Sequence, residues 1–288
     1  MRRLLPLLLP ILAVLPGCSV SSVVNAVVPG NGYRIVSGIP YGEGPRRTLD
    51  VYVPDGADGG TPTLVFFYGG SWESGRKEDY RFAGQAFASR GYVTVVPDYR
   101  VYPEVRFPDF LKDASAAVAW SAAHGPEYGA GPGPVYLVGH SAGAHIAAML
   151  TLDRQWLGNS GLSPCGAVRA TVGLAGPYDF LPLKSAVLME IFGPEATRPR
   201  SQPINFVTGA EPPMLLITGD ADTTVRPRNT DNLAAKIRER GGEVEVLHYG
   251  GIGHTPLVGA LAAPLRRLAP VLDDTDAFLR RHSDQAPC

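Results

Sequence analysis

The sequence has little cysteine and no surplus of either charge. Cys18, Cys165 and Cys288 are its three cysteines, and none sits in a Cys-His spacing that suggests zinc, so no metal is expected. Lysine and arginine number 26 against 27 acids, for a net charge of -1, so there is no basic field to gather nucleic acid. Internal repeats and low-complexity tracts are also missing. The 34 glycines and 27 prolines are spread along the chain and mark a loop-rich protein. The one long apolar run, Leu4 to Leu15, is too short and too proline-broken for a comfortable spanning helix. What is present, 45% hydrophobic and 18% charged residues over 288 positions, suits one globular α/β domain with a sizeable core.

Arg2-Arg3, the apolar run and Pro16-Gly17-Cys18 read as an export signal over residues 1–18, with a tether over 19–32. Leu15-Pro16-Gly17-Cys18 also resembles the lipobox of bacterial lipoproteins. That resemblance implies lipid on Cys18 and a cell-envelope protein attached to the membrane; periplasmic release or secretion is the alternative. Cys165 and Cys288 would then lie in an oxidising compartment, where a disulfide can persist.

From residue 33 to 282 the pattern alternates between strand and helix. Tyr33 to Ile39 and Thr48 to Val53 form an opening hairpin. Thr63 to Tyr68, Tyr92 to Val96, Val135 to Val138, Ala170 to Leu174 and Met214 to Thr218 are short apolar runs, the mark of strands covered on both faces. Glu243 to Tyr249 alternates as an outer strand. Helices are expected over Tyr80 to Arg90, Phe107 to His124, Ala144 to Leu150, Thr230 to Arg240 and Asp273 to Arg281. Residues 180–213 are proline-broken and could form a small cap; 283–288 are a tail. The alternation argues a mostly parallel sheet with helices on both faces and its site at the strands' carboxyl ends.

Gly139-His140-Ser141-Ala142-Gly143 stands between a buried strand and a run of helix formers. Strand, G-x-S-x-G and helix together define a nucleophile elbow, with the serine hydroxyl at the apex of a tight turn. A serine needs a base, and the base an orienting acid, in the chain order Ser, Asp, His. Asp222 follows the 214–218 strand and His254 follows the 243–249 strand, so both emerge at the sheet edge that carries Ser141. Ser141 is the expected nucleophile, His254 the base and Asp222 its partner, with Asp220 the rival acid. Ala142 N–H and the amides of Gly70 and Ser71 are the expected oxyanion donors. Trp72 and Tyr178 are the aromatics placed to touch substrate; Asp98 and Asp179 end strands and could line the pocket, with structural hydrogen bonding the stronger reading of both. Among the other histidines, His140 and His145 read as packed residues, and His124, His248 and His282 as surface or strand positions.

On Gly69-Gly70-Ser71-Trp72, Pro97-Asp98-Tyr99-Arg100, Gly139 to Gly143, Gly219 to Val225 and His254, the chain resembles the α/β-hydrolase superfamily, and most of all its bacterial carboxylesterase-type members. That group is similar to feruloyl-esterase-like, kynurenine-formamidase-like and prenylcysteine-methylesterase-like hydrolases. The resemblance implies a serine hydrolase acting on short acyl or aryl carboxylic esters through an acyl-enzyme, without cofactor or metal. An amidase or peptidase on the same residues is the alternative within enzymes, and a non-catalytic binding lipoprotein the alternative outside them. One departure stands out: Tyr68 occupies the place of the family's first histidine in H-G-G.

Overall fold

The computed structural model describes residues 24–283; the export signal, Cys18 and the end of the tail, with Cys288, lie outside the described residues. Cys165 is disulfide-bonded. Eight strands form one sheet in the order β1-β2-β4-β3-β5-β6-β7-β8. β1 (Tyr33–Pro40) and β2 (Thr48–Pro54) pair antiparallel, and β2 pairs antiparallel with β4 (Val93–Pro97). From β4 onward every pairing is parallel, through β3 (Thr63–Phe67), β5 (Val135–His140), β6 (Val168–Leu174), β7 (Met214–Gly219) and β8 (Val244–Tyr249). Every residue of β3, β4, β5 and β7 is buried, which is why these strands read as unbroken apolar runs. β8 is the edge strand and is only half-buried, so it alternates.

Between the strands run α1 (Arg81–Ala88), α2 (Asp109–His124), α3 (Ala142–Leu152), α4 (Ala186–Phe192), α5 (Arg228–Glu239), α6 (His254–Gly259) and α7 (Val271–Arg281). α3 is buried along its whole length. A helix buried all round has no polar face, so no amphipathic stripe marks it in the sequence. Among the short elements that were not expected are α4 and α6, seven and six residues long and too brief for a periodic signal. Because β3, β5, β6, β7 and β8 run in one direction, the loops that follow them collect at one edge of the sheet.

Candidate active site

The elbow closes by contact between backbones. A methyl group on Gly139 would overlap the carbonyl of Gly143, and one on Gly143 would overlap the carbonyl of Phe67, so neither position admits a side chain. Ser141 sits at the apex with φ of 56° and ψ of -121°, a conformation costly for a residue with a Cβ. Its amide donates to the Leu174 carbonyl at 2.9 Å, and its carbonyl accepts from His145 N–H at 3.1 Å, which locks the turn between β6 and α3.

Ser141 Oγ lies 2.9 Å from His254 Nε2, and His254 Nδ1 lies 2.7 Å from Asp222 Oδ2. The other carboxylate oxygen of Asp222 accepts the amides of Thr224 and Val225, both at 2.9 Å. Asp222 is an acceptor only, so Nδ1 carries the imidazole proton and Nε2 is left to accept from the serine hydroxyl. Asp220, the rival acid, is engaged elsewhere: its carboxylate meets His248 Nδ1 at 2.9 Å. The glycines at 250, 251 and 253 precede His254. His254 is the first residue of α6, and the loop before it is clipped to the Asp222 turn by Asp220 N–H to Tyr249 O and Ala221 N–H to Ile252 O, each 3.0 Å. Gly219 permits that docking, since any side chain there would overlap the Ile252 carbonyl.

Gly70, Ser71 and Trp72 all have positive φ, which folds the loop after β3 sharply back beneath Ser141. Among the described residues the amides of Gly70, Ser71 and Ala142 donate to no protein acceptor. Tyr68, the departure from the family pattern, braces this loop. Its ring stacks on Tyr99 at 4.7 Å and on Tyr80 at 5.4 Å, its hydroxyl donates to Asp98 Oδ1 at 2.7 Å, and its carbonyl accepts from the Tyr99 hydroxyl at 2.7 Å. Arg46 adds donors to the Tyr68 hydroxyl and the Gly75 carbonyl. Burial, only partly opposed by the Tyr68 hydroxyl and the Lys77 amide, pushes the Asp98 carboxyl above its ordinary range. Asp98 therefore holds the loop rather than lining the cavity.

A cavity of about 620 Å³ opens in front of Ser141, walled by Ser71, Trp72, Phe180, Leu183, Leu188 and the turn from Thr223 to Asn229. Trp72 reaches it as expected. Tyr178 does not: it is fully buried, with Gly173 and Gly176 pressed against its ring, and only its backbone amide, donating to Asn229 Oδ1 at 3.1 Å, ties it to the cavity wall. Asp179 is likewise absent from the wall and accepts from Asn232 Nδ2 at 2.7 Å. The segment expected as a cap supplies Phe180, Leu183, Lys184 and Leu188 to the wall, and nothing in its proline-broken pattern marks which of its residues face the cavity. His140 and His145 are packed as expected. Burial lowers them to about 3 and about 4, so both are neutral, and the His140 ring lies 4.8 Å from that of His254 without adding charge. His282, expected at a surface or strand position, is instead buried just past the last helix and bonded to the Phe278 carbonyl and Glu243.

The chain has relatives both by sequence and by fold. The model of the BD-FAE family matches residues 49–237. An isoprenylcysteine alpha-carbonyl methylesterase of Arabidopsis thaliana is 30% identical over 249 residues, covering 79% of this chain and 58% of its own. Esterase LipC of Mycobacterium tuberculosis is 30% identical over 234 residues, covering 74% of this chain and 58% of its own. The chain thus spans little more than half the length of these curated relatives. Among solved structures, Thermogutta terrifontis esterase 2 superposes with a TM-score of 0.71 at 26% identity, covering 89% of this chain and 97% of that one.

Proposed function

The chain belongs to the BD-FAE family within the α/β-hydrolase fold, and from that premise we propose that it is a serine hydrolase of carboxylic esters with short acyl or aryl groups. The observation that carries the reading is the unbroken hydrogen-bond chain Ser141 Oγ, His254, Asp222 at 2.9 and 2.7 Å. The relatives named as esterases support the same class of substrate.

Ser141 Oγ attacks the ester carbonyl as His254 Nε2 takes its proton, while Asp222 steadies the imidazolium that forms. The carbonyl oxygen gains the negative charge and is met by the amides of Gly70, Ser71 and Ala142, and by the N-terminal end of α3. Collapse of the intermediate expels the alcohol, which leaves with the proton from His254. Water then enters, gives its proton to His254, and attacks the acyl-serine; the carboxylic acid departs and Ser141 recovers its proton. Trp72 forms part of the surface on which the substrate lies.

The test is hydrolysis of 4-nitrophenyl esters from acetate to palmitate by wild type and Ser141→Ala, with a fluorophosphonate label as the active-site check. Turnover of the short esters that disappears with labelling in Ser141→Ala supports the proposal. Labelling at Ser141 without ester turnover moves the reading to amides, and absence of both in folded protein rejects it. The lipobox-like stretch supports an envelope location with lipid on Cys18; mass spectrometry of the exported protein decides it, and an unmodified N-terminus beyond residue 18 rejects it.

A further inference from the structure

Three cations and no carboxylate stand in the wall of the cavity before Ser141. They are Lys184, on the segment after Phe180, and Arg226 and Arg228, on the turn that leads into α5. Their side chains are exposed and make no ion pair or hydrogen bond within the described residues. Acids on the flanking segments are committed elsewhere. Asp222 holds His254, Asp231 and Asp220 share His248, and Asp179 accepts from Asn232. Other cations of the site's scaffold are paired: Arg47 and Arg100 meet Asp113, and Lys77 meets Asp50.

Position makes the two arginines more telling. Arg228 is the first residue of α5 and Arg226 precedes it by two. The start of a helix bears partial positive charge, so a cation there lowers stability where an acid would raise it. The turn that bears them is also held firmly. Asn229 donates to the Arg226 carbonyl at 3.1 Å and accepts the amides of Tyr178 and Asp179 at 3.1 and 3.0 Å. Asp222 accepts the amides of Thr224 and Val225, so the acid that orients His254 also shapes the base from which Arg226 extends. Two unpaired arginines on a fixed base beside the nucleophile are suited to a ligand that brings its own negative charge.

We propose that this cavity is a subsite for an anionic group, a carboxylate or phosphate, carried by the ester itself, with Arg226, Arg228 and Lys184 as its counterions. The inference rests on the ester-hydrolase reading and narrows its substrate class. A volume of about 620 Å³ accommodates much more than a short neutral acyl group, and a cleft lined by one sign of charge concentrates the opposite sign.

The experiment compares kcat/KM for charged esters with their neutral counterparts in three arms. 4-Nitrophenyl hydrogen adipate against its methyl ester places a carboxylate on the acyl half. 4-Acetoxybenzoate against its methyl ester places one on the alcohol half. 4-Acetoxyphenyl phosphate against phenyl acetate tests phosphate there. The expected result is a charged-to-neutral ratio of roughly tenfold or more in at least one arm. Raising salt from about 20 mM to about 0.5 M shrinks that ratio severalfold, because the screening length falls from about 20 Å to about 4 Å, the separation of an ion pair itself. In Arg226→Gln/Arg228→Gln the ratio drops toward one; Lys184→Gln lowers it less, and Arg154→Gln, an exposed cation outside the cavity, leaves it as in wild type. Thermal melts establish that each variant is folded. Ratios of one or less in every arm, with neutral esters turned over and Ser141 labelled by fluorophosphonate, overturn the subsite and leave the esterase standing. A ratio that survives in the double arginine variant also overturns it. Loss of both turnover and labelling in wild type rejects the esterase reading and the subsite with it.

Discussion

Ser141 occupies a backbone conformation that few residues with a Cβ adopt, and the surrounding contacts keep it there: two backbone hydrogen bonds and two glycines pressed against neighbouring carbonyls. Under the proposed mechanism, Ser141→Ala lowers kcat/KM for 4-nitrophenyl butyrate by roughly 10⁴-fold or more, while denaturation curves stay close to wild type. Asp222→Asn keeps the hydrogen-bonded geometry but favours the wrong imidazole tautomer, and a loss on the order of 10⁴-fold in kcat is expected in the same assay. Tyr68 answers a different question, what holds the oxyanion loop when the family histidine is absent. Tyr68→Phe removes the donor to Asp98 and leaves that buried carboxylate with the Lys77 amide at 2.8 Å as its remaining close donor. Urea denaturation should show a loss of about 1–3 kcal/mol, and kcat should fall more than KM rises as the Gly70-Ser71 backbone shifts.

At the scale of elements, the site depends on how closely three strand-to-helix connections approach one another. α3 packs against the end of β3 with no room for a methyl group at Gly143. Gly143→Ala should therefore cost more than about 3 kcal/mol in chemical denaturation or leave the protein insoluble, while an alanine at the open, negative-φ Gly158 should cost little. The β7 and β8 connections are tied to each other before either reaches Ser141, through Asp220, Ala221, Tyr249 and Ile252. His254 thus arrives on a docked helix start, and the close packing between the two connections falls at Gly219, while Gly250 and Gly251 beside the histidine face open space.

Across the whole molecule, burial of histidine links the core to pH. His145 is enclosed by Trp72, Phe110, Phe180 and Phe192, and burial lowers it from 6.5 to about 4. The unfolded chain takes up a proton near pH 6.5 that the folded chain refuses until about pH 4, so His145 makes the fold less stable as pH falls through that window. Comparing unfolding free energies at about pH 7 and about pH 5, the decline should be smaller in His145→Phe than in wild type by on the order of 2 kcal/mol. An equal decline in both proteins would place the proton uptake elsewhere. His145 also shows how the core supports the site, since its ring meets Trp72 edge-on at 5.0 Å directly behind the cavity wall.

Much of the fold was legible because each interior parallel strand is a short apolar run, a pattern set by burial on both faces, while the edge strand β8 alternates. The candidate site was legible because the elbow demands glycines at fixed offsets and because the acid and base follow strands that run the same way. The sequence pointed to Asp222 but left Asp220, two positions away on the same turn, as a rival; the fold separates them by bringing His248 to Asp220 and His254 to Asp222. Nor could the sequence place Tyr178, whose aromatic ring suits a cavity or a core equally; the glycines at 173 and 176 open a slot that draws it into the core. The three unpaired cations were invisible for the same reason: Lys184 and Arg226 are 42 residues apart, and only the meeting of two loops at the cavity before Ser141 makes them neighbours. Local chemistry along the chain determined the strands, the elbow and the types of residue that could react. Tertiary packing alone decided which of those residues meet, because contacts between distant loops depend on the shape of the whole sheet edge.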